Sequence, residues 1–396
     1  MLSKLFMFEK PLGMRDTLPA LYETKKKVRQ IMTEEIESWG FQFIETPTLE
    51  YYETVGSTSA ILDQQLFKLL DQQGHTLVLR PDMTAPIARV AASRLYNSGF
   101  PLRLAYSANV YRAQQREGGR PAEFEQTGVE CIGDGTTSAD AEVIALMIST
   151  LKKVGLTNFT VAIGHVGYVN ALFLDIVGNE ERADVLRRFL YEKNYVGYRE
   201  HVKNLPLSSI DKQRLLQLLQ LRGNPETKIV EANDLIENEA GRRAIAELDQ
   251  LSVNLQAYGV EDSVKIDFNL LSHMSYYTGI LFEVYAENVG FLLGNGGRYD
   301  KLLEKFNLPA QATGFGLRID RLIEALDGTE ETADIQLVIF SHERRAEAIE
   351  FTKKQREQGK RVILQDISGI KDVDACTNEF QEVSYFIGKN GKEAQS

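Results

Sequence analysis

Cysteine is almost absent. Cys131 and Cys376 are the only two in 396 residues, they lie far apart, and they form no metal-type spacing. That usage rules out a disulfide scaffold and fits a reducing compartment. Positive charge is also in deficit, with 45 Lys and Arg against 56 Asp and Glu and a net charge of -11. Non-specific attraction to a phosphate backbone rests on clustered cations, so the balance weighs against a dedicated RNA-binding protein. Long apolar runs are missing too. The opening MLSKLFMFEK lacks the apolar core of a signal peptide, and no segment approaches the ~20 residues of a membrane span, so a cytoplasmic location with no membrane contact is expected. Repeats and low-complexity tracts are likewise lacking. What the chain does have is hydrophobic content of 43%, enough to bury the cores of two or three domains.

Leu21, Val28, Ile31, Met32, Ile36 and Trp39 recur at helical spacing, and Gly40 supplies a stop. FQFIETPTLE reads as a strand in which Pro47 must sit at an edge or an end. LFKLLDQQGHTLVLRPD reads as a hairpin turning near Gln72, Gln73 and Gly74, and TAPIARVAASRL as a helix with Thr84 as its cap. LRLAYSANVYRA and AEFEQTGVECIG are two strand-like runs joined by the polar loop QQREGGRP. A helix is predicted from about Ala139 to Val154, then the strand NFTVAIG. Residues 167–258 are helical in character, with little strand signal. Strand signals return over 264–294, followed by GNGGRYD and a helix at about 316–327. DGTEETAD reads as a linker. Beyond it, IQLVIF, RRAEAIEFTKKQREQG, RVILQ and VSYFIG form a small α/β unit.

Several motifs occur in a telling order: Gly40 and Pro47, LRPDMTAPIAR, YRAQQREGGRPAEFEQTGVE, SYYTGILFE, GNGGRYD and GFGLRIDRL. In that order they resemble the catalytic core of a histidyl-tRNA synthetase. The resemblance implies an α+β fold: a class II aminoacyl-tRNA synthetase-like core over residues 1–327, an antiparallel sheet flanked by helices, with the helical insertion at about 167–258. A linker at 328–333 and a shortened anticodon-binding-like α/β domain at 334–396 would follow. It also implies roles. Asp82, Thr84 and Gln126 would hold the amino end of histidine, and Glu130 with Tyr276 and Tyr277 would surround the imidazole. A carboxylate accepts from a ring N–H while a phenol donates or accepts, so both ring nitrogens can be read. Arg112 would meet the α-phosphate of ATP, Arg321 would cover the nucleotide, and Arg116 and Arg120 belong to the same loop as possible anion or partner contacts. No metal or cofactor is implied.

The nucleotide half departs from that pattern. Where the synthetases carry an arginine and an aspartate before the paired tyrosines, this chain has Ser272 and Ser275. Joining a carboxylate to an anionic phosphate needs a fixed cation, and losing one such stabiliser costs about 2.7–4 kcal/mol. Gln114 replaces a glutamate, Arg318 replaces a glycine, and Asp82 and Asp320 stand where glutamates are usual. The pattern resembles instead the regulatory subunits of ATP phosphoribosyltransferase, synthetase paralogues without aminoacylation activity. That resemblance implies L-histidine as ligand, a short-form catalytic subunit as partner, a homodimer within a hetero-octamer, and no tRNA. An active histidyl-tRNA ligase, with Arg318 as substitute cation, and a histidine-activating enzyme without tRNA stay open as rivals.

Blander readings exist for each motif. The adjacent tyrosines pack as ordinary sheet core, and in a strand only one of them points into a pocket. Glu130, four residues beyond Gln126, shares its face on a regular strand. His273 reads as a loop or surface histidine. GNGGRYD lacks the dinucleotide fingerprint and reads as a turn where backbones approach closely.

Overall fold

The computed structural model describes residues 9–95, 99, 101–113, 121–271, 276–326 and 335–388. The chain divides into two compact units, a large one made mainly of Thr24–Thr329 and a small one made mainly of Glu330–Ser396. The expected linker at 328–333 lies outside the described residues.

Helix α1 (Pro19–Ser38) buries Val28, Met32 and Ile36, one per turn, and ends at Gly40, whose φ of +80° suits the left-handed position after a helix. Two short strands follow on either side of Pro47, β1 (Gln42–Phe43) and β2 (Leu49–Tyr51). The expected hairpin is present as β3 (Lys68–Leu70) and β4 (Thr76–Leu79), and β4 also pairs with β2 to complete a three-stranded antiparallel sheet. Helix α2 (Thr84–Val90), the ten-residue strands β5 (Leu102–Tyr111) and β6 (Glu123–Ile132), helix α3 (Thr137–Lys153) and β7 (Phe159–His165) come next.

The insertion is helical as expected. It comprises α4 (Val166–Val177), α5 (Glu180–Tyr191), α6 (Tyr195–Asn204), α7 (Ser209–Leu218), the two-residue strand β8 (Arg222–Gly223), α8 (Pro225–Asp234) and α9 (Glu239–Ala257). From α5 onward each helix opens on an Asn or Ser (Asn179, Asn194, Ser208, Asn224, Asn238) whose side chain accepts a backbone N–H of the first turn. Those caps satisfy donors the helix itself leaves open and explain why so leucine-rich a stretch breaks into short pieces. Strands β9 (Val264–Asp267), β10 (Ile280–Ala286) and β11 (Leu292–Arg298), helix α10 (Asp300–Glu304), strand β12 (Ala312–Arg318) and helix α11 (Ile319–Ala325) close the large unit.

Nine strands form one sheet in the order β1-β5-β6-β12-β11-β10-β7-β9-β8. Every pairing from β5 to β7 is antiparallel; β1 joins β5 and β9 joins β7 in parallel, and β8 closes the far edge antiparallel to β9. The mostly antiparallel sheet flanked by helices, with a helical insertion, is the α+β architecture the sequence implied. Two segments differ from expectation. GNGGRYD is no turn: Gly294–Arg298 lie inside β11, paired on both sides. The helix expected from 316 starts at Ile319, because 312–318 is strand β12. The small unit is a parallel sheet, β14-β13-β15, built from β13 (Ile335–Phe340), β14 (Arg361–Asp366) and β15 (Glu382–Phe386), with helix α12 (Arg345–Glu357) between its first two strands. No helix among the described residues is long and apolar enough to cross a membrane.

Candidate functional site

Strands β6 and β12 lie side by side in the middle of the large sheet, and one narrow cavity opens on their shared face. Its lining includes Asp82, Thr84, Gln126, Glu130, Tyr276 and Tyr277, so all six residues expected around histidine meet at one place. Gln126 and Glu130 face it together because β6 pairs without a register break from 126 to 132. The room comes from glycine. A Cβ on Gly316 would stand 1.9 Å from Gln126 Nε2, and one on Gly314 would stand 2.0 Å from Glu130 Oε2 and 2.3 Å from the Val129 carbonyl. Glycine in a strand interior costs packing and marks such close approach. Gly314→Ala is therefore expected to cost about 1–3 kcal/mol and to drive the Glu130 carboxyl out of place; a thermal melt and a histidine titration read the two effects separately.

Glu130 is held firmly. Thr84 Oγ1 donates to its Oε1 at 2.8 Å, and the Tyr299 hydroxyl donates to its Oε2 at 2.5 Å. Burial pushes its pKa up to about 8, against the two hydrogen bonds that favour the charged form. Thr84 is free for this task because it does not cap α2. Asp82 does: its Oδ1 accepts the Ala85 N–H at 3.1 Å. The expectation that Thr84 caps the helix is thus corrected: Thr84 is the first residue of the helix, and its hydroxyl is engaged by Glu130. Burial also raises the pKa of Asp82, with the Ala85 bond and the charge of Arg112 opposing.

Two acceptor atoms in this lining have no hydrogen-bond partner among the described residues, Asp82 Oδ2 and Gln126 Oε1. Buried acceptors left open cost free energy and call for a donor. A primary ammonium, with three donors, fits them. Deeper aromatic contacts complete the wall. Tyr276 meets Tyr277 edge-on with ring centroids 5.1 Å apart and Tyr299 likewise at 5.9 Å. The expectation that only one of the paired tyrosines reaches the pocket fails, because both precede β10 and strand alternation does not apply to them. Asn295 Nδ2 donates to the Tyr277 hydroxyl at 3.2 Å.

Tyr106, Asn295 and Tyr299 were not singled out from the sequence. Tyr299 and Asn295 sit inside GNGGRYD, where the glycines drew attention away from the side chains between them. The cavity holds only about 30 Å³ as it stands, room for two or so waters. A ligand larger than that fits only if lining side chains shift.

The cations expected on the nucleotide side fare differently. Arg112 lines the cavity, and its Nε donates to the Pro81 carbonyl at 2.9 Å. Arg321 does not line it; its guanidinium lies 5.2 Å from the Phe291 ring centroid and donates to the Leu292 carbonyl. Arg116 and Arg120 fall in 114–120, and Ser272 and Ser275 in 272–275, outside the described residues. Arg318 lies over Phe124, its guanidinium carbon 3.6 Å from the ring centroid and its Nη2 4.0 Å from Asp320 Oδ2. One face of Phe124 is thus covered by the chain's own cation.

Residues 13–322 match the family model described as histidyl-tRNA synthetase, and residues 337–388 match the one described as histidyl-tRNA synthetase HisZ, C-terminal domain. An ATP phosphoribosyltransferase regulatory subunit of Geobacillus sp. (strain WCH70) is 71% identical over 393 residues, covering 99% of this chain and 100% of that protein. One of Bacillus subtilis (strain 168) is 64% identical over 389 residues, covering 98% and 99%. A crystal structure of an ATP phosphoribosyltransferase regulatory subunit/histidyl-tRNA synthetase from Bacillus halodurans C superposes with a TM-score of 0.93 at 63% identity, over 98% of this chain and 100% of that one. A histidyl-tRNA synthetase from Nostoc sp. PCC 7120, 19% identical with a TM-score of 0.79 over 94% of this chain and 88% of that one, shares the fold.

Proposed function

Because this chain belongs to the ATP phosphoribosyltransferase regulatory subunit family, on the histidyl-tRNA synthetase-like scaffold, we propose that it is the non-catalytic partner of a short ATP phosphoribosyltransferase catalytic subunit. It enables that subunit and places the first step of histidine biosynthesis under histidine control. The observation that carries the histidine half is the pair of open acceptors, Asp82 Oδ2 and Gln126 Oε1, in one cavity with the buried Glu130 carboxyl. The ammonium of L-histidine meets the first two, and its imidazole meets Glu130 and the paired tyrosines.

Arg318 supports the non-catalytic half of the reading. Its guanidinium lies over the Phe124 ring and so takes up an aromatic surface on the nucleotide side. Aminoacylation is accordingly absent in this reading, and no tRNA is bound. The protein works in the cytoplasm, as a homodimer within a hetero-octamer with the catalytic subunit. Control is a population shift: histidine binds one conformation more tightly and draws the partner towards inactivity. Coupling of this kind is reciprocal, so the catalytic subunit changes histidine affinity in return.

Calorimetric titration with L-histidine, paired with histidine-dependent exchange of pyrophosphate into ATP, tests the reading. Saturable binding that excess ATP leaves unchanged, with no exchange above background, is expected. Exchange activity would mean a working synthetase site and would sink the proposal.

A further inference from the structure

A second cavity, of about 410 Å³, lies in the large unit between the sheet and the helical insertion. That volume is within the range of small-ligand sites. Its floor is made by Thr160 and Ala162, two apart on β7 and hence on one face. The register extends this face sideways. Glu283 of β10 and Lys265 of β9 stand on either side of Ala162, and Tyr285 stands opposite Thr160. Leu190, Leu270 and Leu271 supply apolar wall.

Three exposed cations line the opening, Lys193, Arg222 and Lys265. Arg222 is engaged, its Nε 2.9 Å from Asp267 Oδ2. The other Asp267 oxygen accepts from the Asn269 N–H at 2.9 Å and Asn269 Nδ2 at 3.1 Å, so that carboxylate has its partners. Lys193 Nζ donates to the Tyr285 hydroxyl at 3.3 Å, and that hydroxyl donates to Glu283. Lys265 forms no ion pair among the described residues. In the lining, Asn269 is only 4% exposed, and its Oδ1 has no hydrogen-bond partner among the described residues.

An acceptor is therefore open in the wall, and two ammonium groups stand at the mouth: Lys265, with no ion pair among the described residues, and Lys193, which reaches the Glu283 carboxylate only through the Tyr285 hydroxyl. We propose that this cavity binds a small phosphorylated polyol, of the sugar-phosphate class. Lys193 and Lys265 hold the phosphate, and a hydroxyl donates to Asn269 Oδ1. A phosphate monoester carries close to two negative charges at neutral pH, which two lysines balance and a simple carboxylate would not. The proposal does not depend on the histidine reading.

The test is calorimetric titration of the full chain with ribose 5-phosphate, alongside free ribose and inorganic phosphate. Saturable binding of ribose 5-phosphate, tighter than either fragment, is expected. The double variant Lys193→Ala/Lys265→Ala should weaken it about tenfold or more, while a cooperative thermal melt shows that the variant still folds. Affinity unchanged in the double variant, or no better than that of inorganic phosphate, overturns the proposal. So does a lack of binding to the parent protein.

Discussion

Replacing Glu130 by glutamine is expected to weaken histidine binding roughly ten- to hundredfold while making the empty protein more stable. The two effects share one cause. Glu130 is 2% exposed, and burial holds its pKa at about 8 against an ordinary 4.5. Between those values the folded protein keeps a proton that the unfolded chain has released. Stability therefore falls as pH rises from about 4.5 to about 8 and levels off above, and the span amounts to several kcal/mol. Glutamine fills the same space without titrating, so its advantage in melting temperature should be large at pH 8 and small at pH 5. An advantage equal at both values would contradict this origin. Binding moves the other way, because a charge-assisted bond to an imidazole N–H, worth about 1.5–3 kcal/mol, is lost. In the parent protein at pH 7, histidine should displace close to one proton from the pocket, measurable as a dependence of binding heat on the buffer's ionisation enthalpy. Binding with no proton release would mean that Glu130 does not face the ligand as a carboxylate.

Arg298→Ala should cost more stability than any surface change. Arg298 Nε and Nη2 reach Asp140 Oδ2 at 3.0 and 2.9 Å, and the two side chains are 8% and 1% exposed. Its nitrogens also donate to the Asp134 and Thr136 carbonyls at 3.2 and 2.9 Å, tying β11 to the start of α3. Removing one member of such a pair strands the other charge, at a cost of about 3–5 kcal/mol. The double replacement Arg298→Met/Asp140→Leu should recover much of that loss, since it leaves no buried charge unpaired. Denaturant unfolding of the parent and both variants gives the comparison. A loss below about 1 kcal/mol in Arg298→Ala would show that water reaches Asp140. Tyr299 follows Arg298 directly and donates to Glu130, so the single variant should weaken histidine binding as well.

The parts of the fold that speak through periodicity were legible in the sequence. Helix α1 announces itself by Val28, Met32 and Ile36, and β5 and β6 by ten-residue stretches with scattered β-branched and aromatic residues and no helical spacing. Strand β12 does not, because Gly314 and Gly316 occupy the positions where side chains would have shown its alternation. Their absence is what makes space for Gln126 and Glu130, so the feature that hides the strand is the one that builds the pocket. GNGGRYD misled in the same way. The paired tyrosines were recognised, but their common orientation depends on a non-strand backbone that no local propensity specifies. Asp82 was expected as a ligand, and its second task, capping α2, required knowing where the helix begins.

The narrowness of the first cavity has a temporal consequence. With room for only a couple of waters, the cavity takes the proposed amino acid only if lining side chains shift, and the same shift precedes its release. Association then proceeds at the rate of that opening, well below the diffusion limit, and departure is slowed by the same step. Such a receptor averages over brief swings in ligand concentration and answers only to sustained ones.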